Sequence, residues 1–215
     1  MKAKLDNYEF SYTDNNPFHH QAYLMPPVLK MLSNLTISNH QKPFILDIGC
    51  GNGSLSNLIA QQGYQVVGID ESKQGINIAR QSFPNCQFIQ KSIYDLPDSE
   101  FKNAFDIVIA IEVIEHLIYP RELLKAAQQY LKPTGRLILT TPYHGYFKNI
   151  TLALAGKCDQ HFNPLWDGGH VKFFSVSTLT TLLKSENFTD IKYQFAGRIP
   201  FLWKSMLCSS APFIN

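Results

Sequence analysis

The chain has 215 residues, of which 45% are hydrophobic and 17% charged, with a formal net charge of +2. That length suits one compact domain with a real core, and the composition is that of an ordinary globular protein. There is no basic stripe to mark a nucleic-acid partner and no apolar run of about 18 residues to span a bilayer. The opening "MKAKLDNYEFSY" lacks the apolar core of a secretory signal. Cys50, Cys86, Cys158 and Cys208 are scattered without a CxxC pair. They suit a reducing, cytoplasmic setting and neither a disulfide framework nor a zinc knuckle.

In chain order, "PFHHQAYLMPPVLKMLSNL" predicts one or two N-terminal helices. From Lys42 onward, short apolar runs alternate with segments of helical period. Strands are expected at 43–49, 65–70, 86–91, 105–111 and 136–142, nearly continuous in apolar residues, as when helices cover both faces of a parallel sheet. Helices are expected at 54–63, 72–83 and 120–133, with Gly63 and Pro133 as stops. This order is that of a doubly wound α/β sheet. Beyond Pro142 the pattern loosens into an aromatic insert over about 143–170, and loops of that length usually have a job. A helix at 176–188 and strands near 189–196 and 200–208 complete the chain. Within the insert, Phe147, Ile150, Thr151 and Leu154 form an apolar stripe. It reads as a wall for a greasy acceptor, a contact with a membrane surface, or a lid packed on the core. Only Lys148 and Lys157 lie near enough in sequence to favour anionic lipid, which does not support stable membrane anchoring. Phe162 and Trp166 suit the two sides of a flat ring, or the core.

Two constellations carry chemistry. In "FILDIGCGNGSL", Gly49, Gly51 and Gly53 follow the first strand. A dinucleotide fingerprint would place its third glycine where Ser54 stands. A tight turn needs one glycine or two; three call for close approach of backbone to a ligand. Asp70, ending the second strand, suits two ribose hydroxyls, and can also cap the helix that begins near Ser72. In "EVIEHL", Glu112, Glu115 and His116 stand at i, i+3 and i+4 after the fourth strand, where such sheets bind ligands. On a helical turn the three would share one face and perturb one another unless neutralised. A divalent cation (Mg²⁺, Mn²⁺ or Zn²⁺) would neutralise them and acidify a bound hydroxyl. The alternatives are a metal-free acceptor pocket with His116 or Glu115 as base, or a purely structural cluster. His170 in "DGGHVKFF" is a candidate further ligand, or a loop or helix-capping histidine.

Together "ILDIGCGNG", "VVGIDES", "SIYDLP", "FDIVIAIEVIEHL" and "LKPTGRLILTTP" resemble the ordered motifs of class I S-adenosylmethionine-dependent methyltransferases, from about Lys42 to Pro142. The resemblance implies a Rossmann-like, mostly parallel seven-stranded sheet whose last hairpin contains an antiparallel strand. It implies Asp47 and Gly49 near the methionine part of the cofactor, Asp70 with Glu71 at the ribose, and Ile93, Tyr94 and Asp95 at the adenine. Asp95 can also be a plain turn residue. An N-terminal helical lid over 1–41 would set Tyr23 and one of His19 and His20 at the mouth of a domain spanning 42–215. The E-x-x-E-H followed by "DGGHVKFF" is similar to the ubiquinone-biosynthesis O-methyltransferases. This implies O-methylation of a hydroxylated aromatic or quinone-precursor molecule; peripheral membrane contact is one reading of the apolar stripe in the insert. Small-RNA 2′-O-methyltransferases share the metal logic, but the modest charge weighs against nucleic acid. A non-catalytic cofactor-binding subunit is the third reading, and the acid-rich "EVIEHL" weighs against that.

Overall fold

The computed structural model describes residues 10–35, 42–96 and 101–213. Parts of the expected lid, 1–9 and 36–41, lie outside them. Helix α1 (Gln21–Ser33) leads into β1 (Phe44–Ile48), α2 (Ser54–Gln61), β2 (Gln65–Asp70), α3 (Lys73–Ser82) and β3 (Gln87–Gln90). Then come β4 (Phe105–Ile111), α4 (Pro120–Tyr130) and β5 (Leu131–Pro142). The chain ends with α5 (Tyr146–Leu154), α6 (Cys158–His161), α7 (Val176–Ser185), β6 (Phe188–Ala196) and β7 (Ser205–Pro212).

The seven strands form one sheet in the order β3-β2-β1-β4-β5-β7-β6. The five strands from β1 to β5 are parallel, and β7 runs antiparallel to both β5 and β6. The sheet is therefore mixed. The order reverses between β1 and β4, so the loops after those strands open at the switch point.

Side-chain alternation explains the apolar runs. Leu46, Ile48, Val108 and Ala110 enter one core with α4 and α7, while Ile45, Ile107 and Ile109 enter the opposite one with α1 and α2. Helix α1 carries Pro26 and Pro27 in its interior, each a missing backbone donor. Burial of Leu24, Val28 and Leu32 holds it in place regardless.

Two expectations shift. Helix α4 stops at Tyr130 rather than at Pro133, because Leu131 already pairs with Phe105 of β4. Pro133 falls in the β5 span beside a register slip, where a strand tolerates proline. The last strand runs from Ser205 to Pro212 instead of ending at 208. Among the described N-terminal residues there is one helix, and residues 10–20 precede it without helix or strand.

Phe105 is fully buried, with ring centroids 4.5 Å from Phe44 and 6.3 Å from Tyr130. Phe105→Ala is expected to cost about 3–5 kcal/mol in chemical unfolding, with one cooperative transition retained. A loss under about 1 kcal/mol would mean that this layer can collapse into the gap.

Candidate active site

The turn after β1 is fixed by backbone. Gly49 and Cys50 both donate to the carbonyl of Ile69, at 2.7 and 3.1 Å. Gly49, Gly51 and Gly53 have φ of 81°, 55° and 78°, the left-handed region where a side chain is strained. Their missing side chains also make room for the protein itself: Val113 packs at Gly49, Tyr12 at Gly51, and Ala79 with Phe88 at Gly53. Asp70 accepts from Gly51 N–H on one carboxylate oxygen and from Ser72 N–H on the other, each at 2.8 Å. It thus supports the turn as well as the start of α3, whose cap is the Ser72 hydroxyl accepting from Gly75 N–H.

Asp47 is buried at the end of β1 and accepts from the Ser56 hydroxyl at 2.6 Å. Burial raises its pKa to about 7, against the Ser56 bond and reinforced by Asp70. Glu71 takes a hydrogen bond from Ser92 at 3.1 Å, drawing the end of β2 to the 3₁₀ turn Ile93–Asp95. Asp70, Glu71, Ile93, Tyr94 and Asp95 therefore line up along one edge. Within that turn Tyr94 is anchored, its hydroxyl accepting from Ile118 N–H at 3.1 Å, and Asp95 is exposed. Half-buried carboxylate, bare backbone and this turn fit a nucleoside ligand.

The E-x-x-E-H segment departs from one helical face. Glu112 follows β4 directly, with φ at 55°, a strained conformation for a non-glycine residue. Only Ile114–His116 make a 3₁₀ turn. Glu112 is held on its own by Thr140, which accepts from Glu112 N–H and donates to its carboxylate, both at 2.9 Å. Ser205 donates to the other carboxylate oxygen at 3.3 Å and contacts the Tyr23 hydroxyl at 3.0 Å. Tyr23 thus belongs to the Glu112 network rather than to the glycine turn. His20 stacks on Phe18, and its pKa is lowered by burial and by His116 nearby.

Glu115 is different. It is 0% exposed and neither carboxylate oxygen has a hydrogen-bond partner. Burial, then the charge of Glu112, pushes its pKa well up. Its backbone carbonyl accepts from Val171 and Lys172, at 2.9 and 3.0 Å, which seats His170 beside it. His170 Nε2 lies 4.0 Å from the Glu115 carboxylate. His116 Nδ1 pairs with the Gly168 carbonyl at 2.9 Å, leaving Nε2 as the nitrogen with a lone pair. One ligand atom each from Glu115, His116 and His170 lie within 4.8 Å of one another. The geometry therefore groups His170 with Glu115 and His116 and leaves Glu112 outside the trio. Burial lowers both imidazole pKa values, that of His170 to about 4, so both rings are neutral at pH 7. A buried, unpaired carboxylate between two neutral imidazoles fits a divalent cation.

Trp166 packs edge-on to His116 at 5.7 Å, while Phe162 stacks on His144 at 5.6 Å. The insert thus delivers both aromatics to the histidines. Helix α5 forms where its stripe predicts, yet inverted. Phe147, Ile150 and Leu154 are exposed and the sole buried residue is Lys148, at 3%. The stripe is not a lid packed on the core, and Lys148 does not face lipid; its ammonium donates to the Tyr143 carbonyl at 2.7 Å. Thr140, Ser205, Asn52 and Tyr12 escaped the sequence reading, since isolated hydroxyls, amides and rings carry no spacing signal.

A methyltransferase-domain family model matches residues 18–193. The chain belongs to that family. Among curated proteins, it is 33% identical to the human mitochondrial ubiquinone biosynthesis O-methyltransferase over 186 residues, 79% of this chain and 49% of that one. It is 35% identical to the ubiquinone biosynthesis O-methyltransferase of Idiomarina loihiensis over 151 residues, 68% of this chain and 62% of the other. The chain thus spans about half to three fifths of the length of these relatives. Among solved structures, the magnesium protoporphyrin IX methyltransferase of Synechocystis with bound SAH superposes with a TM-score of 0.66 at 19% identity. That match covers 90% of this chain and 83% of the other, and shows the methyltransferase fold.

In this methyltransferase-family chain, Asp47 makes a pH-dependent contribution with a definite sign. Its folded pKa of about 7 lies above the ordinary 3.8. Between those values the folded state keeps a proton that the unfolded state has released, so stability falls as pH rises. Asp47→Asn should flatten the decline in melting temperature between about pH 4 and about pH 7. Parallel declines in both proteins would mean that Asp47 is already ionised in the fold.

Proposed function

We propose that the chain is an S-adenosylmethionine-dependent O-methyltransferase acting on a hydroxylated aromatic or quinone-precursor small molecule. The observation that carries this reading is the unpaired Glu115 carboxylate beside two neutral imidazoles, at the strand ends next to the glycine turn. The names of the relatives support the same chemistry. When bound, the cofactor supplies a sulfonium methyl already activated for displacement by oxygen.

The protein's tasks are then alignment and proton removal. Gly49, Gly51, Gly53 and Asp47 border the methionine end. Asp70 and Glu71 take the ribose, and the Ile93–Asp95 turn takes the adenine. An acceptor hydroxyl gives up its proton as its oxygen attacks the methyl carbon and the carbon–sulfur bond breaks. His116 Nε2 is the proposed base, its tautomer set by Gly168. Glu115, His116 and His170 are also the residues that would hold a Mg²⁺ or similar ion, which lowers the pKa of a coordinated hydroxyl. Glu112 then acts from behind, fixed by Thr140 and Ser205. Trp166 and Phe162 stack against the aromatic acceptor.

In this reading residues 10–35 belong to a lid over the site, with α1 as its helix and Tyr23 at the mouth. Tyr146, Phe147 and Leu154 are 84%, 60% and 85% exposed. An apolar face of that kind suits a prenylated acceptor or peripheral contact with a lipid surface. No helix among the described residues is long and apolar enough to cross a membrane. We place the chain in the cytoplasm.

The test pairs binding with turnover. S-adenosylhomocysteine should bind in the micromolar range by calorimetry, and labelled methyl should pass to a catechol. Glu115→Gln and His116→Asn should each lower turnover by about 10²-fold or more. Loss of turnover in a chelator, restored by Mg²⁺, favours the cation; indifference to chelator leaves His116 as a metal-free base. Unchanged turnover in both variants would remove the site assignment, and absence of homocysteine-analogue binding would remove the cofactor.

A further inference from the structure

Residues 10–20, ahead of α1, lie across the glycine turn and are fastened to it. The Asn52 amide, in the middle of that turn, donates to the carbonyls of Asp14 and Asn16, at 2.9 and 3.0 Å. Ser72, which caps α3, donates to the carbonyl of Phe10 at 3.1 Å, and Tyr12 N–H donates to Gln74 at 3.3 Å. Asn52 and Ser72 are both buried. Their polar groups are thus paired, in part, by this segment.

The Tyr12 ring is the centre of the contact. A Cβ on Gly51 would fall 2.7 Å from the Tyr12 hydroxyl oxygen, and one on Gly75 would fall 2.9 Å from a ring carbon. Neither distance is tolerable between real atoms, so the ring fits only because both positions are glycine. Gly75 is telling, for it lies in the first turn of α3 without a positive φ, where glycine costs about 1 kcal/mol relative to alanine. The ring, together with the Gly51 carbonyl at 2.9 Å, accounts for it. Phe10 and Phe18 pack on Tyr12 with centroids 5.2 and 5.8 Å away. Burial, and then the charges of Asp70, Cys50, Glu71 and Asp47, raise the pKa of the hydroxyl and keep it protonated. The three carboxylates are those assigned above to the ribose and methionine ends of the cofactor.

We infer that Tyr12 is a cofactor-positioning residue, and that residues 10–20 are a strap forming the outer wall of the nucleoside site. The phenol places its hydroxyl over Gly51, in the field of Asp70, and the ring covers the turn. Cofactor exchange requires the strap to lift from Gly51 and Gly75. This rests on the cofactor reading of the proposed function, and it places the closing element in the extended segment rather than in a helix.

The experiment is calorimetric titration and stopped-flow release of S-adenosylhomocysteine, on the full chain and on Tyr12→Ala, Tyr12→Phe and Gln74→Ala, with thermal unfolding as a control of fold. Tyr12→Ala should weaken binding at least about tenfold, mainly through faster release. Tyr12→Phe, which keeps the ring but loses the hydroxyl, should fall between. Gln74→Ala, an exposed substitution that unties Tyr12 N–H, should speed release several-fold. If the parent does not bind, the cofactor reading fails and the strap with it. If the parent binds and Tyr12→Ala shows the same affinity and release rate, only the strap inference is overturned. Tighter binding by Tyr12→Ala would also overturn it, because the ring would then occupy the ligand's own place. Should Tyr12→Ala fail to fold, Gln74→Ala decides: release at the parent rate overturns the inference.

Discussion

The clamp made by Asp70 organises the ligand-facing edge. Its two carboxylate oxygens accept from Gly51 N–H and Ser72 N–H at the same 2.8 Å, so one side chain fixes both the turn after β1 and the first turn of α3. Charge-assisted bonds of this kind are short and directional. They bring two helix starts, those of α2 and α3, to one place, so that both helix dipoles point at the same edge. Gly51 must adopt a positive φ to present its N–H to Asp70, and that same turn leaves the space which Tyr12 enters. The clamp and the strap are consequences of one backbone conformation.

A second constraint acts at β4. Its parallel neighbours β1 and β5 bury it on both edges, so the chain leaving Ile111 must turn at once. Glu112 pays with a left-handed conformation, and Thr140 of β5 compensates by bonding both its backbone and its carboxylate. The turn sends Glu115 inward rather than along a helical face. The carbonyl of Glu115 then receives the two amides that follow His170. A sequence-distant histidine is thereby placed by backbone hydrogen bonds, with no need of a helix to carry it.

These two turns mark the boundary of what the sequence makes legible. Strands β1, β2 and β4 are readable because burial on both faces leaves apolar runs of strand length, and the glycine turn because glycine has few other uses there. The start of β5 is not, since Leu131 pairs with Phe105 while Lys132 and Pro133 obscure the run. The E-x-x-E-H spacing suggests a helical face, yet the sharp turn at Glu112 overrides it. His170 becomes a neighbour of Glu115 only through main-chain bonding, for which residue identity leaves no trace. Helix α5 shows the limit from the other side: its period is correct and its orientation opposite. Periodicity reports that two faces differ, without saying which of them is covered.

The inversion of α5 follows from the charges beneath it. Lys148 is buried with its ammonium on the Tyr143 carbonyl, and burial lowers its pKa to about 8, with Arg198 acting in the same direction and Glu112 against it. Placing a cation there offsets Glu112, which is half-buried and whose pKa desolvation raises to about 7. The same cation helps hold His144, His161 and His170 neutral. Turning α5 over would bury Phe147 and Leu154, gaining apolar contact, but would take the Lys148 ammonium away from the Tyr143 carbonyl and from the field of Glu112. Glu115 obtains no such compensation: among the described residues it is the one buried carboxylate with no hydrogen-bond partner. Lys148 acts on Glu112 from a distance, whereas the Glu115 carboxyl, whose protonated form burial favours, lies beside the His116 and His170 rings, where exchange of its proton for a cation would complete the set.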